Sequence, residues 1–247
     1  MGIKPIARML KRGVESMLGV AIYRTLPHGV SFLADLERLY TQVRVERIFD
    51  VGANIGQSLA EFREWCPRVE VHCFEPSSAN HAALCRNAAG MRGVQVHCLA
   101  LSDVVGTSSL LLADSPRMHR LGPAEGCASE AVEVTTLDGF CAGRSIDTIS
   151  ILKIDTEGHD LKVMQGADGL LRRQAIDFLV CEAGGQASST SHVPMRLIMD
   201  YMDARGYLLF GMYEQKHEWT EGRIHLRRVN LAFVSGRVAA TVKTDRR

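Results

Sequence analysis

The chain has 247 residues, 46% of them hydrophobic, with 29 Lys and Arg against 28 Asp and Glu. That length fits one large domain or one domain with an appended arm, and the ordinary composition excludes a collagen-like, mucin-like or wholly disordered chain. A net charge of +1 with dispersed basic residues leaves no electrostatic footprint for nucleic acid, and no apolar run approaches the ~18 residues needed to cross a bilayer.

The N-terminal stretch MGIKPIARMLKRGVESMLGVAIY does not read as a signal peptide, because Glu15 interrupts its apolar centre and Arg24 and Pro27 follow. At helical spacing Ile6, Leu10, Met17 and Ala21 share one side, while Arg8, Lys11, Arg12 and Glu15 share the other. Such a basic amphipathic helix either rests on anionic lipid or packs on its own domain or on a second subunit. Ser31 opens a second helix over 31–43, with Leu33, Leu36, Leu39 and Tyr40 at helical spacing. Residues 1–44 therefore read as a helical arm, suited to a peripheral membrane contact or a homodimer contact.

From residue 45 the texture changes. Strand-like runs recur at 47–51, 69–75, 94–101, 149–155 and 177–182, with helix candidates at 57–65, 78–89 and 159–173. Near-continuous apolar strands alternating with helices predict an α/β, doubly wound, mostly parallel sheet. Two further runs, 207–213 and 226–235, are separated by the short polar segment EQKHEWTEGR and predict an antiparallel hairpin. Residues 102–148 break the rhythm: the strand-like pieces SSLLLA and VEVTTL flank a polar, Gly- and Pro-rich loop, a candidate lid. The domain organisation expected is thus an arm (1–44), a main domain (45–238) and a basic tail (239–247). Seven cysteines, odd in number and without C-x-x-C spacing, predict reduced thiols in a cytoplasmic protein.

The sharpest motif is FDVGANIG (49–56) at the end of the first strand. Gly52 and Gly56 allow a tight turn and a close ligand approach, and the helix starting near Gln57 aims its N–H groups at the same place. The loop matches neither GxxxxGK[ST] nor GxGxxG. Asn54 stands where a dinucleotide loop needs glycine, and Asp50 repels a pyrophosphate but suits a cationic amine or sulfonium. Glu75 ends the second strand, where a carboxylate can accept both hydroxyls of a ribose. Leu101, Ser102 and Asp103 end the third. Acids and glycines in this order are the layout expected for S-adenosylmethionine.

FDVGANIGQ, FEPSSANHAAL, ALSD followed by Gly106, and LKIDTEGHDLKVMQGA together resemble the FkbM family of class I S-adenosylmethionine-dependent methyltransferases, over about residues 45–235. The resemblance implies a Rossmann-like seven-stranded sheet with an antiparallel last strand, and O-methylation of a sugar or polyketide hydroxyl. It implies that Asp50, Gly52, Ala53, Asn54 and Gly56 hold the methionine end of the cofactor, that Glu75 takes the ribose, and that Leu101, Ser102 and Asp103 lie near the adenine. The expected acceptor is a sugar in a bacterial surface polysaccharide, a lipid-linked glycan or a glycosylated metabolite, with no nucleic-acid partner.

The run KIDTEGHD (153–160) sits at the carboxyl end of the fourth strand, beside the switch point where ligands bind in open α/β sheets. Methylating a hydroxyl needs an in-line oxygen and a proton acceptor or Lewis acid. In one reading His159 or Asp155 is the general base. In the other, Asp155 and Glu157, with Glu182 at the end of the fifth strand, hold a divalent cation such as Mg2+. The resemblance covers Asp155, Glu157, Gly158 and an acid at 160, and tolerates variety at 159. Lys153, Glu182 and His119 are candidate substrate contacts, and Arg117 and Arg120 in the lid could meet an anionic sugar. Two other functions compete: a nicotinamide-dependent oxidoreductase or epimerase, opposed by the missing GxGxxG, and a catalytically silent nucleoside-binding scaffold, opposed by the intact acids.

Overall fold

The computed structural model describes residues 14–23, 25–113, 119–123, 128–187, 189, 191–220 and 223–242. Most of the predicted basic amphipathic helix, most of the basic tail and Arg117 lie outside this set. No helix among the described residues is long and apolar enough to cross a membrane.

Strands β1 (Arg47–Val51), β2 (Glu70–Phe74), β3 (Val94–His97), β8 (Ile149–Ile154), β9 (Ile176–Gly184), β10 (Tyr207–Thr220) and β11 (Arg223–Ser235) form one sheet. Its order is β10-β11-β9-β8-β1-β2-β3. Neighbours from β3 to β9 pair in parallel, while β11 runs antiparallel to both β9 and β10. This is the doubly wound, seven-stranded architecture that the sequence predicts, with the antiparallel final strand inserted one place inside the edge.

Side chains alternate between two apolar layers, as period two requires. Phe49, Val51, Leu152, Ile154, Leu179 and Phe233 face one layer. There they meet helices α4 (Leu137–Ala142), α5 (Asp160–Gln165), α6 (Asp168–Arg172) and α7 (Met195–Asp203). Ile48, Val71, Ile151 and Phe178 face the other layer, packed on α1 (Phe32–Leu39), α2 (Gln57–Trp65), α3 (Ser78–Asn87) and α8 (Gly236–Ala239).

Helix α1 is no free-standing arm. The Ser31 hydroxyl accepts the Ala34 N–H at its start, Leu36 is buried, and Phe32 and Tyr40 set their rings edge-on to Phe178 and Phe210. Buried Asp35 ties it down further, accepting from Gly29 N–H (2.8 Å), from Arg38 (2.6 Å) and from the Tyr213 hydroxyl (3.1 Å).

Three expectations change. The third strand does not run unbroken to 101: it leaves the main sheet after His97, and β4 (Ala100–Leu101) joins a second sheet with β5 (Gly106–Leu111), β6 (Arg120–Leu121) and β7 (Ser129–Thr135), in the order β4-β7-β5-β6. Both halves of the candidate lid are thus strands, and part of the loop between them lies outside the described residues. The single helix expected over 159–173 is two, divided at Gly166. A Cβ there would stand 1.9 Å from the Ser102 carbonyl oxygen, so glycine lets β4's exit strand lie against the helix. Finally, the polar segment read as a connector is paired: Lys216 faces Arg228 and His217 faces Leu226. Polarity concealed it, because an antiparallel ladder that runs past its core needs no apolar residues to keep its hydrogen bonds.

Candidate functional site

The loop after β1 is shaped by its own hydrogen bonds. Gly52 (φ 81°), Asn54 (φ 50°) and Gly56 (φ 99°) all take left-handed backbone. A Cβ on Gly52 would stand 1.9 Å from the Asp155 carbonyl oxygen, so β1 and the end of β8 touch through backbone alone. The N–H groups of Gly52 and Ala53 both donate to the Phe74 carbonyl at 3.0 Å. The Asn54 N–H donates to Glu75 Oε2 (2.9 Å), Ile55 N–H to Asn54 Oδ1 (2.8 Å) and Gly56 N–H to the Ala53 carbonyl (2.9 Å). Every N–H from 52 to 56 therefore has a protein acceptor. A loop that cradles a pyrophosphate needs such groups open; this one closes them on the protein.

Glu75 is buried and also accepts the Ser77 N–H at 2.9 Å. Burial raises its pKa, opposed by those backbone donors. The Asn80 side chain hydrogen-bonds it as well. Above it opens a cleft. Its walls include Asn54, Glu75, Asp155, Glu157 and His159, with Phe74, Leu101, Leu110 and Leu121 as apolar surfaces.

At the end of β8, Lys153 stands opposite Asp50 in the β1–β8 register. Its Nζ lies 3.5 Å from Asp50 Oδ1 and 3.2 Å from Asp155 Oδ2. Burial opposes the charge on Lys153, yet Asp50 and Asp155 outweigh it and lift its pKa above the ordinary lysine range. Asp50 is completely buried, neither of its oxygens makes a hydrogen bond, and desolvation pushes its carboxyl pKa up against the pull of Lys153. Asp50 therefore does not line the cleft; it lies beneath the loop and steadies Lys153. Asp155 is half-exposed in the cleft, with Oδ2 taken by Lys153.

His159 precedes α5 with its Nε2 2.8 Å from the Ser102 hydroxyl, which in turn donates to Asp103 Oδ1 at 3.0 Å. Since Ser102 spends its only proton on Asp103, it accepts from Nε2–H, and this assigns the Nδ1 lone pair to the other side of the ring. Burial lowers the His159 pKa, so the imidazole is neutral at pH 7. Lys162 fixes Asp103 at 2.6 Å. Ser102 and Asp103 thus orient His159 rather than line the cleft.

Beyond Glu157 the cleft opens into a groove lined by Arg120, Leu121, Glu157, His159, Ser191 and His192 among others. Gly158 (φ 94°) lets Ser191 and His192 pack close, since a Cβ there would meet the Ser191 carbonyl at 2.7 Å. Glu182, at the end of β9, is buried against His192 (Nδ1 to Oε2, 3.0 Å) and is ion-paired to Arg228. The carboxylate set expected for a cation is therefore rearranged: Glu157 and Glu182 come together, but with His192, while Asp155 turns to Lys153.

Of the residues singled out from sequence, Gly52, Asn54, Glu75, Leu101, His119, Asp155, Glu157 and His159 share the cleft. Asp50, Ala53, Gly56, Ser102, Asp103 and Lys153 stand behind it, and Glu182 stands beside the groove. Sequence reasoning did not place Phe74, Asn80, Leu110, Leu121 or Thr156 in the cleft wall. Asn80, two residues after the Ser78 that opens α3 and directly past Glu75-Pro76, carried the only signal that could have found it.

A family model described as the methyltransferase FkbM domain matches residues 50–209. Among curated proteins, the chain is 23% identical over 202 residues to the 2-O-methyltransferase NoeI of Sinorhizobium fredii, covering 74% of this chain and 80% of that one. It is 29% identical over 153 residues to the 31-O-demethyl-FK506 methyltransferase FkbM of Streptomyces tacrolimicus, covering 49% of this chain and 59% of that relative's length. Among solved structures, TrmK of M. capricolum in complex with S-adenosyl-homocysteine aligns with a TM-score of 0.44 at 11% identity, over 84% of this chain and 70% of that one.

Proposed function

The chain belongs to the FkbM methyltransferase family, and on that premise we propose that it transfers the methyl group of S-adenosylmethionine to a hydroxyl of a sugar, in a bacterial surface polysaccharide, a lipid-linked glycan or a glycosylated metabolite. The observation that carries the cofactor is the glycine loop. With the N–H groups of 52–56 all satisfied internally and acids at Glu75, Asp155 and Glu157 around the cleft, the site suits a ribose and a sulfonium far better than a pyrophosphate. The same observation weighs against a nicotinamide dinucleotide.

S-adenosylmethionine, when bound, supplies a methyl group made electrophilic by its sulfonium. The protein's part is to hold and aim. Glu75, in the cleft wall, takes the ribose hydroxyls, and Phe74, Leu101 and Leu110 offer apolar faces to the base. The first N–H groups of α2 suit the amino-acid carboxylate. On the acceptor side, Asp155 Oδ2 is fixed by Lys153, which leaves Oδ1 to accept the acceptor's O–H and aim its oxygen. The Nδ1 lone pair of His159, in the same cleft wall, is placed to receive the proton. A sugar fits the groove better than an apolar ring, since Glu157, Ser189, Ser191 and His192 line it.

Thermal unfolding with S-adenosylhomocysteine, beside NAD, tests the cofactor. A product analogue at 100 times its Kd adds about 2.7 kcal/mol, or roughly 5–11 °C for a chain of this size. Stabilisation by NAD alone would overturn the proposal. Mass spectrometry of a trideuteromethyl label then reads the acceptor, and transfer to peptide or nucleic acid in place of glycan would replace the sugar reading.

A further inference from the structure

We propose that Glu157, Glu182 and His192 form a divalent-cation site in the wall of the acceptor groove, of the Mn2+ class that takes mixed carboxylate and imidazole ligands. One ligand atom from each residue lies within 4.8 Å of the others. Three acidic and imidazole groups alone would not suffice; the orientation of His192 is the second observation. Its Nδ1 is buried and makes no hydrogen bond, although Glu182 Oε2 is only 3.0 Å away. A buried imidazole nitrogen left without a hydrogen bond beside a carboxylate oxygen is an arrangement that a shared ion would satisfy. A spacing of 3.0 Å is also that of adjacent ligands about an ion with bonds of about 2.1 Å.

The charges allow it. Arg228 takes the other oxygen of Glu182, and Arg227, paired with Glu218 at 3.7 Å, acts on Glu157 only through space. Glu182 is thus ion-paired, while Glu157 makes no ion pair among the described residues and keeps its carboxylate toward the groove. The donor set of one nitrogen and two oxygens admits a transition-metal dication, of which Mn2+ tolerates the two carboxylates best. The frame is built before any ion arrives: the His192 N–H donates to Ser189 Oγ (3.2 Å) and the Gly184 N–H to the Val193 carbonyl (2.8 Å), fixing the loop to the end of β9. Three protein ligands leave open positions. Because Glu157 and His192 both line the groove, those positions face the acceptor, where an ion would bind a hydroxyl oxygen. That role rests on the methyltransferase reading; the ion binding itself does not.

The experiment is titration of the chelator-treated full chain with Mn2+ alone, followed by electron paramagnetic resonance of the free ion. We expect one bound Mn2+ per chain, and at least a tenfold weaker affinity in His192→Gln and in Glu182→Gln. Neither residue lines the cofactor cleft, so S-adenosylhomocysteine should still raise Tm in both variants, which shows that they fold and tests the cofactor reading separately. Absence of Mn2+ binding to the wild-type chain overturns the proposal, as does Mn2+ binding that His192→Gln leaves unchanged. A Glu182→Gln chain that fails to fold leaves the decision to His192→Gln.

Discussion

Replacing Asp155 by asparagine should lower kcat by roughly 10²–10⁴ while leaving the affinity for S-adenosylhomocysteine within about threefold. The prediction follows from where the carboxylate stands. Its backbone is locked, because the Asp155 N–H donates to the Val51 carbonyl (2.9 Å) and the Asp155 carbonyl packs against Gly52. Its Oδ2 is held by Lys153 at 3.2 Å. Asparagine keeps the size and an acceptor oxygen but loses the charge, so the loop that shapes the cofactor cleft stays in place and only the oxygen offered to the acceptor weakens. His159 separates the two candidate bases. With a folded pKa below the ordinary histidine value, it is protonated only in mild acid, and a rate that depends on its lone pair declines as pH falls through that value. Erasure of this acid limb by His159→Gln, with Asp155→Asn retaining it, makes His159 the proton acceptor and Asp155 the group that aims the hydroxyl. Near-wild-type turnover in Asp155→Asn removes that residue from the mechanism.

A second large effect concerns stability. Asp50→Ala should destabilise the fold by about 3–5 kcal/mol, since it strands a charged lysine in the interior. For a chain of this size that is a fall in Tm of roughly 6–20 °C. Lys153 lies between the fully buried Asp50 and Asp155, and with Asp50 gone only the half-exposed partner remains. The double variant Asp50→Ala/Lys153→Met should recover at least half of the loss, because it removes the charge that needed compensation. Calorimetric unfolding of the wild type and the two variants reads this directly. If Asp50→Ala unfolds within a degree or two of wild type, Lys153 is solvated, and the ion pair does not support the site.

Much of the site was legible because glycine and acid positions answer to local backbone needs. Gly52 must touch the Asp155 carbonyl, and Glu75 must reach the Asn54 N–H; both constraints mark the sequence at fixed distances from strand ends. Asp50 shows the limit of that reasoning. Its place before the glycine loop was plain, but which way its side chain points depends on pairing with Lys153, about a hundred residues away. The same holds for Leu110 and Leu121, which wall the cleft only because the segment after β4 folds into a second sheet. His192 reaches Glu182 only through the return of a loop whose Ser and Thr residues carry no periodicity. The hairpin was recognised but drawn too short, because its outer rungs are polar.

The sheet order also sets a schedule for folding. Among the described residues strand β10 pairs with β11 alone, and β11 pairs with β9, so β10 has no seat until the later strand has docked. During synthesis the nascent chain therefore carries the unpaired edge of β9, and the side chains of α1 meant for Phe210 and Tyr213, until the last dozen or so residues of the described sheet leave the ribosome. Contacts this distant in sequence, such as Asp35 with Tyr213, cost loop-closure entropy before they repay it and make folding slow. The chain accordingly spends its vulnerable period waiting for β11, with a ready strand edge to which a chaperone, or another nascent copy, can bind first.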